Sequence, residues 1–297
     1  MPAFSAPSLV RLHGVERSDR VATYAQVAAF VGQARKALAD KRMPATPNSA
    51  VGALFAKADR LDREWKEGKP SNDIEMLMLA DEAVRIAEAV MEAIDQPEAE
   101  EAIRRITKSD MRLSTRQPSQ GKDALWELDL MAFLRGRGVA AIFKDPPDLE
   151  LDLPGLPAPY GIACKKVYSD ASVSKQFSKG LKQLAPYSGE GLVAFNLDDL
   201  TPERSLLQAA NRRAASDHLH GLNIAFMERH RMRFQEAVMS ERCDGVWISS
   251  CVHADVAGLS PRFNRITENT LWTVTGAPRA SAIRLAALQG VVDGARG

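Results

Sequence analysis

Residues 121–184 read GKDALWELDLMAFLRGRGVAAIFKDPPDLELDLPGLPAPYGIACKKVYSDASVSKQFSKGLKQL, and the fold turns on how this stretch is parsed. Leu125, Leu128, Met131, Ala132 and Leu134 recur at helical spacing, which predicts an amphipathic helix. Gly136 and Gly138 break it. Val139 to Phe143 is a short apolar strand closed by Pro146-Pro147, because proline cannot donate to a central ladder. Asp148-Leu149-Glu150-Leu151-Asp152-Leu153 alternates acidic and apolar residues. A strand over these residues puts Asp148, Glu150 and Asp152 on one face and three leucines on the other. After a Pro/Gly turn, Tyr160 to Tyr168 is a further strand carrying Cys164-Lys165-Lys166, with Ala163 and Lys165 on one face and Ile162, Cys164 and Lys166 on the other. A basic helix follows, bearing Lys175, Lys179 and Lys182, with Gln176 and Gln183 seven positions apart on one face.

Helix, strand, strand opening on Pro-Asp, strand with lysine, helix: this order resembles the PD-(D/E)xK nuclease superfamily, the restriction-endonuclease-like fold. In that family the Asp begins or ends the second strand and an acid-x-Lys triplet lies on the third. Pro147-Asp148 matches the first element and Lys165 the lysine. Glu127 matches the acid that many members carry on the preceding helix, and Gln176 or Gln183 the glutamine of some branches. The chain departs from the pattern at Ala163, where the triplet should begin with an acid. The resemblance spans roughly residues 121–200. It implies an α/β core, a mixed central sheet flanked by helices, and Mg²⁺- or Mn²⁺-dependent hydrolysis of DNA, in a setting such as restriction or phage defence. Catalysis would fall to Asp148, Lys165 and Glu127, and metal binding to Asp148, Glu127 and Glu150. Lys166, Lys175, Gln176, Lys179, Lys182 and Gln183 would face nucleic acid.

The chemistry explains the combination. Carboxylate oxygens on a strand edge suit Mg²⁺, which takes oxygen ligands. The metal activates water and clamps the phosphate while a lysine supports the developing charge. Ala163 removes one ligand. Either Glu127 and Glu150 compensate, or the core binds nucleic acid or a protein partner without cutting.

Composition sets outer limits. The 297 residues allow two domains or one with a helical extension. With 39 basic and 38 acidic residues the net charge of +1 says nothing about nucleic acid, but basic residues cluster over Lys165–Lys182, at Arg212-Arg213 and at Arg229–Arg233. Cys164, Cys243 and Cys251 form neither a CxxC pair nor a disulfide framework. No apolar run approaches the ~20 residues that span a bilayer, and no signal pattern opens the chain, so a cytoplasmic protein without a membrane is expected.

Residues 1–20 read as a flexible arm. Helices are expected over 21–41, 49–67 (opened by Ser49), 73–94 and 98–106, giving an α-helical region over 21–118. That region offers a surface for a homodimer or a protein partner. The α/β core is placed over 119–288. Beyond the quoted stretch it contains a buried strand from Gly191 to Leu197, helices near 203–216 and 220–240, a last core strand over Val246–Val252 and an edge strand over Leu271–Thr275. Residues 289–297 read as a frayed tail.

Overall fold

Apolar stripes at helical spacing close the first of two units, residues 17–132, in a computed structural model that describes residues 9–12, 23–69 and 73–294. Helices α1 (Tyr24–Asp40), α2 (Ala50–Lys66) and α3 (Ile74–Ala93) pack on one another through Val31, Leu38, Leu54, Phe55, Ile86 and Val90, all buried. Their starts are set by polar caps. Thr23 and Gln26 form a reciprocal capping box, Ser49 accepts from the Gly52 amide, and Asp73 accepts from the Glu75 amide, which satisfies first-turn N–H groups that lack helical partners. A short 3-10 turn leads into α4 (Glu100–Lys108), and α5 (Gln120–Arg135) begins in this unit. The division between the two units falls inside α5, at Ala132–Phe133.

The second unit is an α/β layer structure on a mixed eight-stranded sheet. Its strands are β1 (Leu9–Leu12), β2 (Ala140–Phe143), β3 (Leu149–Asp152), β4 (Tyr160–Lys166), β5 (Gly191–Asn196), β6 (Leu206–Ala209), β7 (Gly245–Val256) and β8 (Phe263–Trp272). They lie in the order β1-β8-β7-β5-β4-β3-β2, with β6 alongside the far end of β7. Strands β2, β3 and β4 form an antiparallel meander, and β4, β5 and β7 run parallel. The alternation read in β3 is realised. Leu149, Leu151 and Leu153 are buried, Glu150 is half-buried and Asp152 is exposed.

Helices α6 (Val173–Leu184) and α7 (Arg212–Met239) cover one face of this sheet. Phe177 of α6, Phe195 of β5 and Phe226 and Phe234 of α7 form its aromatic centre. Helix α8 (Arg279–Gly294) is tied to the strand starts by Arg284, whose Nε and Nη2 donate to the buried Asp244 carboxylate at 2.9 and 2.7 Å.

Four sequence expectations change. Where helices were expected near 203–216 and 220–240, the chain makes β6 and then a single helix, α7, through 212–239. The strand expected at the sheet edge is β8, which is internal because β1 pairs with it from Leu9↔Trp272 to Leu12↔Asn269. The arm expected over 1–20 is ordered as β1 where it is described, and the rest of it lies outside the described residues. The tail is helical to Gly294, and residues 295–297 lie outside the description. Among the described residues no helix is long and apolar enough to cross a membrane.

Candidate functional site

The meander brings Asp148 beside β4. Continuing the β3–β4 register one step beyond Leu149↔Ile162 sets Asp148 opposite Ala163, with Lys165 two residues along the same strand face. Asp148 Oδ2 accepts the Cys164 amide at 2.7 Å and the Lys165 ammonium at 2.9 Å, and Oδ1 accepts Gln183 Nε2 of α6 at 3.0 Å. Gln183 Nε2 also donates to the Pro147 carbonyl at 2.6 Å, so this one side chain ties α6 to both residues of the Pro-Asp pair. Lys165 donates further to the Cys164 carbonyl at 2.6 Å. The Lys165 and Asp148 side chains are only 10% and 14% exposed. Burial pushes the Asp148 carboxyl above its ordinary value, and the adjacent Lys165 ammonium pulls it back only in part.

Two residues along β3, Glu150 accepts the Tyr187 hydroxyl at 2.6 Å. Burial and that carboxylate push the Tyr187 phenol up to about 12. Glu150 and Asp152 also line an open groove of about 780 Å³ with Ile142, Leu156 and Pro159. Its one basic residue, Arg135, turns its guanidinium onto the Ala141 carbonyl, so the groove itself offers little to a phosphate.

Glu127 lies on α5 within the helical unit, and Arg105 of α4 donates to its two oxygens at 3.2 and 2.6 Å. Of the sequence-predicted metal ligands, Glu127 belongs to the helical unit and Asp148 and Glu150 to the sheet unit. Asp148 and Glu150 stand two apart at one end of β3, each held by protein donors, and Glu127 is ion-paired to Arg105. Among the described residues no group of three or more His, Cys, Asp or Glu side chains is placed to hold a metal ion.

These residues do not fit Mg²⁺ or Mn²⁺ well. Oδ2 of Asp148 already takes two donors, and an ammonium 2.9 Å away repels a dication approaching Oδ1. Ala163 offers no ligand and is completely buried against α6.

Lys166 is a correction. Expected at a nucleic-acid surface, it is buried. Its ammonium donates to Asn196 Oδ1 at 2.6 Å and pairs with Asp199 Oδ2 at 2.6 Å, the two charged side chains being 6% and 1% exposed. It cannot reach a phosphate. It stands in a straight row across four strands, Lys166↔Asn196↔Ser249↔Asn269, all buried and polar. Sequence reading missed this row, which appears only once the four strands are in register. A second buried network, also unforeseen, faces α7. Asn223 donates to Thr270 Oγ1 and accepts from Ser250 Oγ, while Ser216 donates to Glu268.

The remaining predicted contacts lie on α6. Val173, Phe177, Gly180, Leu181 and Leu184 form its buried stripe. Lys175, Lys179 and Lys182 are exposed on the other side, with no acidic partner among the described residues. Gln176, Lys179 and Gln183 follow one another at three- and four-residue steps, so one line of the helix runs from Asp148 outward along basic and amide side chains. Comparison with family models, with curated proteins and with solved structures returned no match.

Proposed function

We propose that this chain is a nuclease-like protein that binds a nucleic-acid backbone along α6 and does not hydrolyse it. The observation that carries the reading is the exposed row of lysines on α6, the helix that Gln183 ties to Asp148. Gln183 anchors the helix at the Asp148–Lys165 pair, and Lys179, Lys182 and Lys175 stand exposed beyond it without acidic partners. Exposed lysines without acidic partners release counterions when they meet phosphates. The restriction-endonuclease-like assignment belongs to this proposal. It is supported by the element order α5-β2-β3-β4-α6-β5, with Asp148 immediately before the second strand of that run and Lys165 on the third. Absence of hydrolysis is supported by the buried alanine at 163 and the fully engaged Asp148 carboxylate.

Metal-dependent hydrolysis of DNA, with a role in restriction or phage defence, is the second reading. The 2.9 Å contact between Asp148 and Lys165, at the two positions the family resemblance requires, favours it. One experiment separates the two. The purified chain is titrated into labelled duplex DNA, single-stranded DNA and RNA in EDTA, and incubated in parallel with supercoiled plasmid in Mg²⁺ or Mn²⁺. Salt-sensitive binding in EDTA with intact plasmid is the expected result. Nicking that Asp148→Ala abolishes would transfer the conclusion to hydrolysis, and no binding to any of the three would end the nucleic-acid reading.

A further inference from the structure

We infer that Lys165 is the resident cation of the Asp148 site: its ammonium, with Gln183, closes the Asp148 carboxylate within the chain and leaves no divalent-ion site there. The inference goes beyond nucleic-acid binding and does not depend on it. Three observations converge. First, the ammonium is fixed at both ends of its reach, donating to Asp148 Oδ2 and to the Cys164 carbonyl, and its side chain is almost wholly buried. A lysine meant to meet a substrate would be expected to keep more freedom.

Second, the carboxylate is gripped from both layers of the fold. The Cys164 amide and Lys165 approach from β4, and Gln183 approaches from α6. An ion entering here would have to displace donors rather than loose water.

Third, the space for a second ligand has been closed by packing. Helix α6 passes the sheet at Gly180. A Cβ on that residue would stand 2.9 Å from both Val193 methyls and 3.5 Å from the Ala163 Cβ. Alanine at 163 and glycine at 180 are thus a matched pair. The helix has settled into room that an acidic side chain at 163 would occupy, and this settling delivers Gln183 to Asp148. The nearest other carboxylate on the strand, Glu150, is capped by Tyr187. Asp148, Lys165 and Gln183 therefore work as an internal clamp between sheet and helix.

The test uses thermal melts of the full chain without nucleic acid, in EDTA and across a Mn²⁺ titration, for wild type, Asp148→Asn, Lys165→Met and the double variant. The wild-type melting temperature should not respond to Mn²⁺. Each single variant should melt lower than wild type, and the double variant should lose clearly less than the sum of the two, because either change alone already breaks the pair. Lys165→Arg, which keeps the charge, should melt closer to wild type than Lys165→Met does, and it serves as the lysine probe if Lys165→Met does not fold. A Mn²⁺-dependent rise in wild type that disappears in Asp148→Asn would overturn the inference by revealing a metal site. Strict additivity of the two changes, or Lys165→Arg melting as low as Lys165→Met, would overturn it by removing the clamp. Because no nucleic acid is present, none of these outcomes bears on whether α6 binds one.

Discussion

Gly180 of α6 lies against Val193 of β5 so closely that a single added Cβ would stand 2.9 Å from both valine methyls. That approach fixes how tightly the helix carrying Gln183 and the exposed lysines is seated. Gly180→Ala should therefore overpack the contact and cost about 1–3 kcal/mol, although alanine is the better helix former by about 1 kcal/mol. Chemical denaturation gives the sign directly. A Gly180→Ala protein more stable than wild type would show that α6 can lift from the sheet without loss.

Ala163→Glu restores the acid that the family pattern expects, and the packing predicts that it does so at the expense of the fold. The carboxylate would enter a completely buried position under α6, facing Asp148 with one ammonium between two acids. A loss of roughly 2–5 kcal/mol is expected in EDTA, the range for a buried polar or charged group without compensation. If Ala163→Glu denatures like wild type in EDTA, position 163 is open to the site, and the argument from packing fails.

Some of this could be read from sequence and some could not. Periodicity located β3 and its faces and the apolar stripe of α3, and residue type located the Ser49 cap, because each depends on residues within a turn or two of one another. The family resemblance put Asp148 and Lys165 in one site and strand alternation put Lys165 on the face of Ala163, but the direct ion pair between the two was not foreseen. Lys166 was misplaced because a lysine ending an apolar strand reads the same whether it reaches water or a buried acid. The deciding partner, Asp199, lies beyond the next strand. The row from Lys166 to Asn269 needs the register of four strands, which no local pattern contains. Strand β8 looked like an edge because its neighbour β1 comes from the other end of the sequence. Helix α7 was read as the second of two helices, near 220–240, yet it runs unbroken from Arg212 and Gly221 is inside it, where an added Cβ would meet nothing.

Lys166→Ala should be among the most damaging single changes in the sheet unit. It would leave Asp199, 1% exposed, without its 2.6 Å ammonium partner. Breaking a buried pair by removing one member costs about 3–5 kcal/mol. Replacing both members, as in Lys166→Met with Asp199→Leu, should recover a large part of that loss. Urea denaturation of wild type and the two variants decides the matter, and an Ala variant within about 0.5 kcal/mol of wild type, the range for surface changes, would place Lys166 at the surface after all.

Tyr187 gives a pH signature. Its folded-state pKa is pushed up to about 12 by burial and by Glu150, above the ordinary phenol value of 10.0. A raised pKa means that the contribution of the neutral hydroxyl is fully present below the unfolded value and is lost as pH rises through the folded one. Stability should thus fall between about pH 10 and 12 partly on account of this residue. Tyr187→Phe should lie below wild type at neutral pH and decline less over that window. Parallel pH profiles for the two proteins would remove the assignment.

The lysines of α6 carry the functional proposal, and their contribution is separable from folding. Lys175, Lys179 and Lys182 are exposed and have no acidic partners among the described residues, so replacing all three with glutamine should change stability by no more than about 1 kcal/mol in total. Binding should behave differently. Each phosphate contact adds about 0.9 to the slope of log affinity against log salt for duplex DNA, or about 0.7 for a single strand. The triple variant should therefore flatten that slope by roughly 2–3, and the difference distinguishes these lysines from a merely solvated face. Affinity at low salt should drop most, because that is where counterion release contributes most. Lys165→Met offers the internal contrast. Its ammonium is buried in the clamp with Asp148, so the variant should lower stability while leaving the salt slope close to that of wild type. If the triple variant keeps the full slope and Lys165→Met loses it, the backbone runs through the Asp148 site and the exposed lysines of α6 are bystanders.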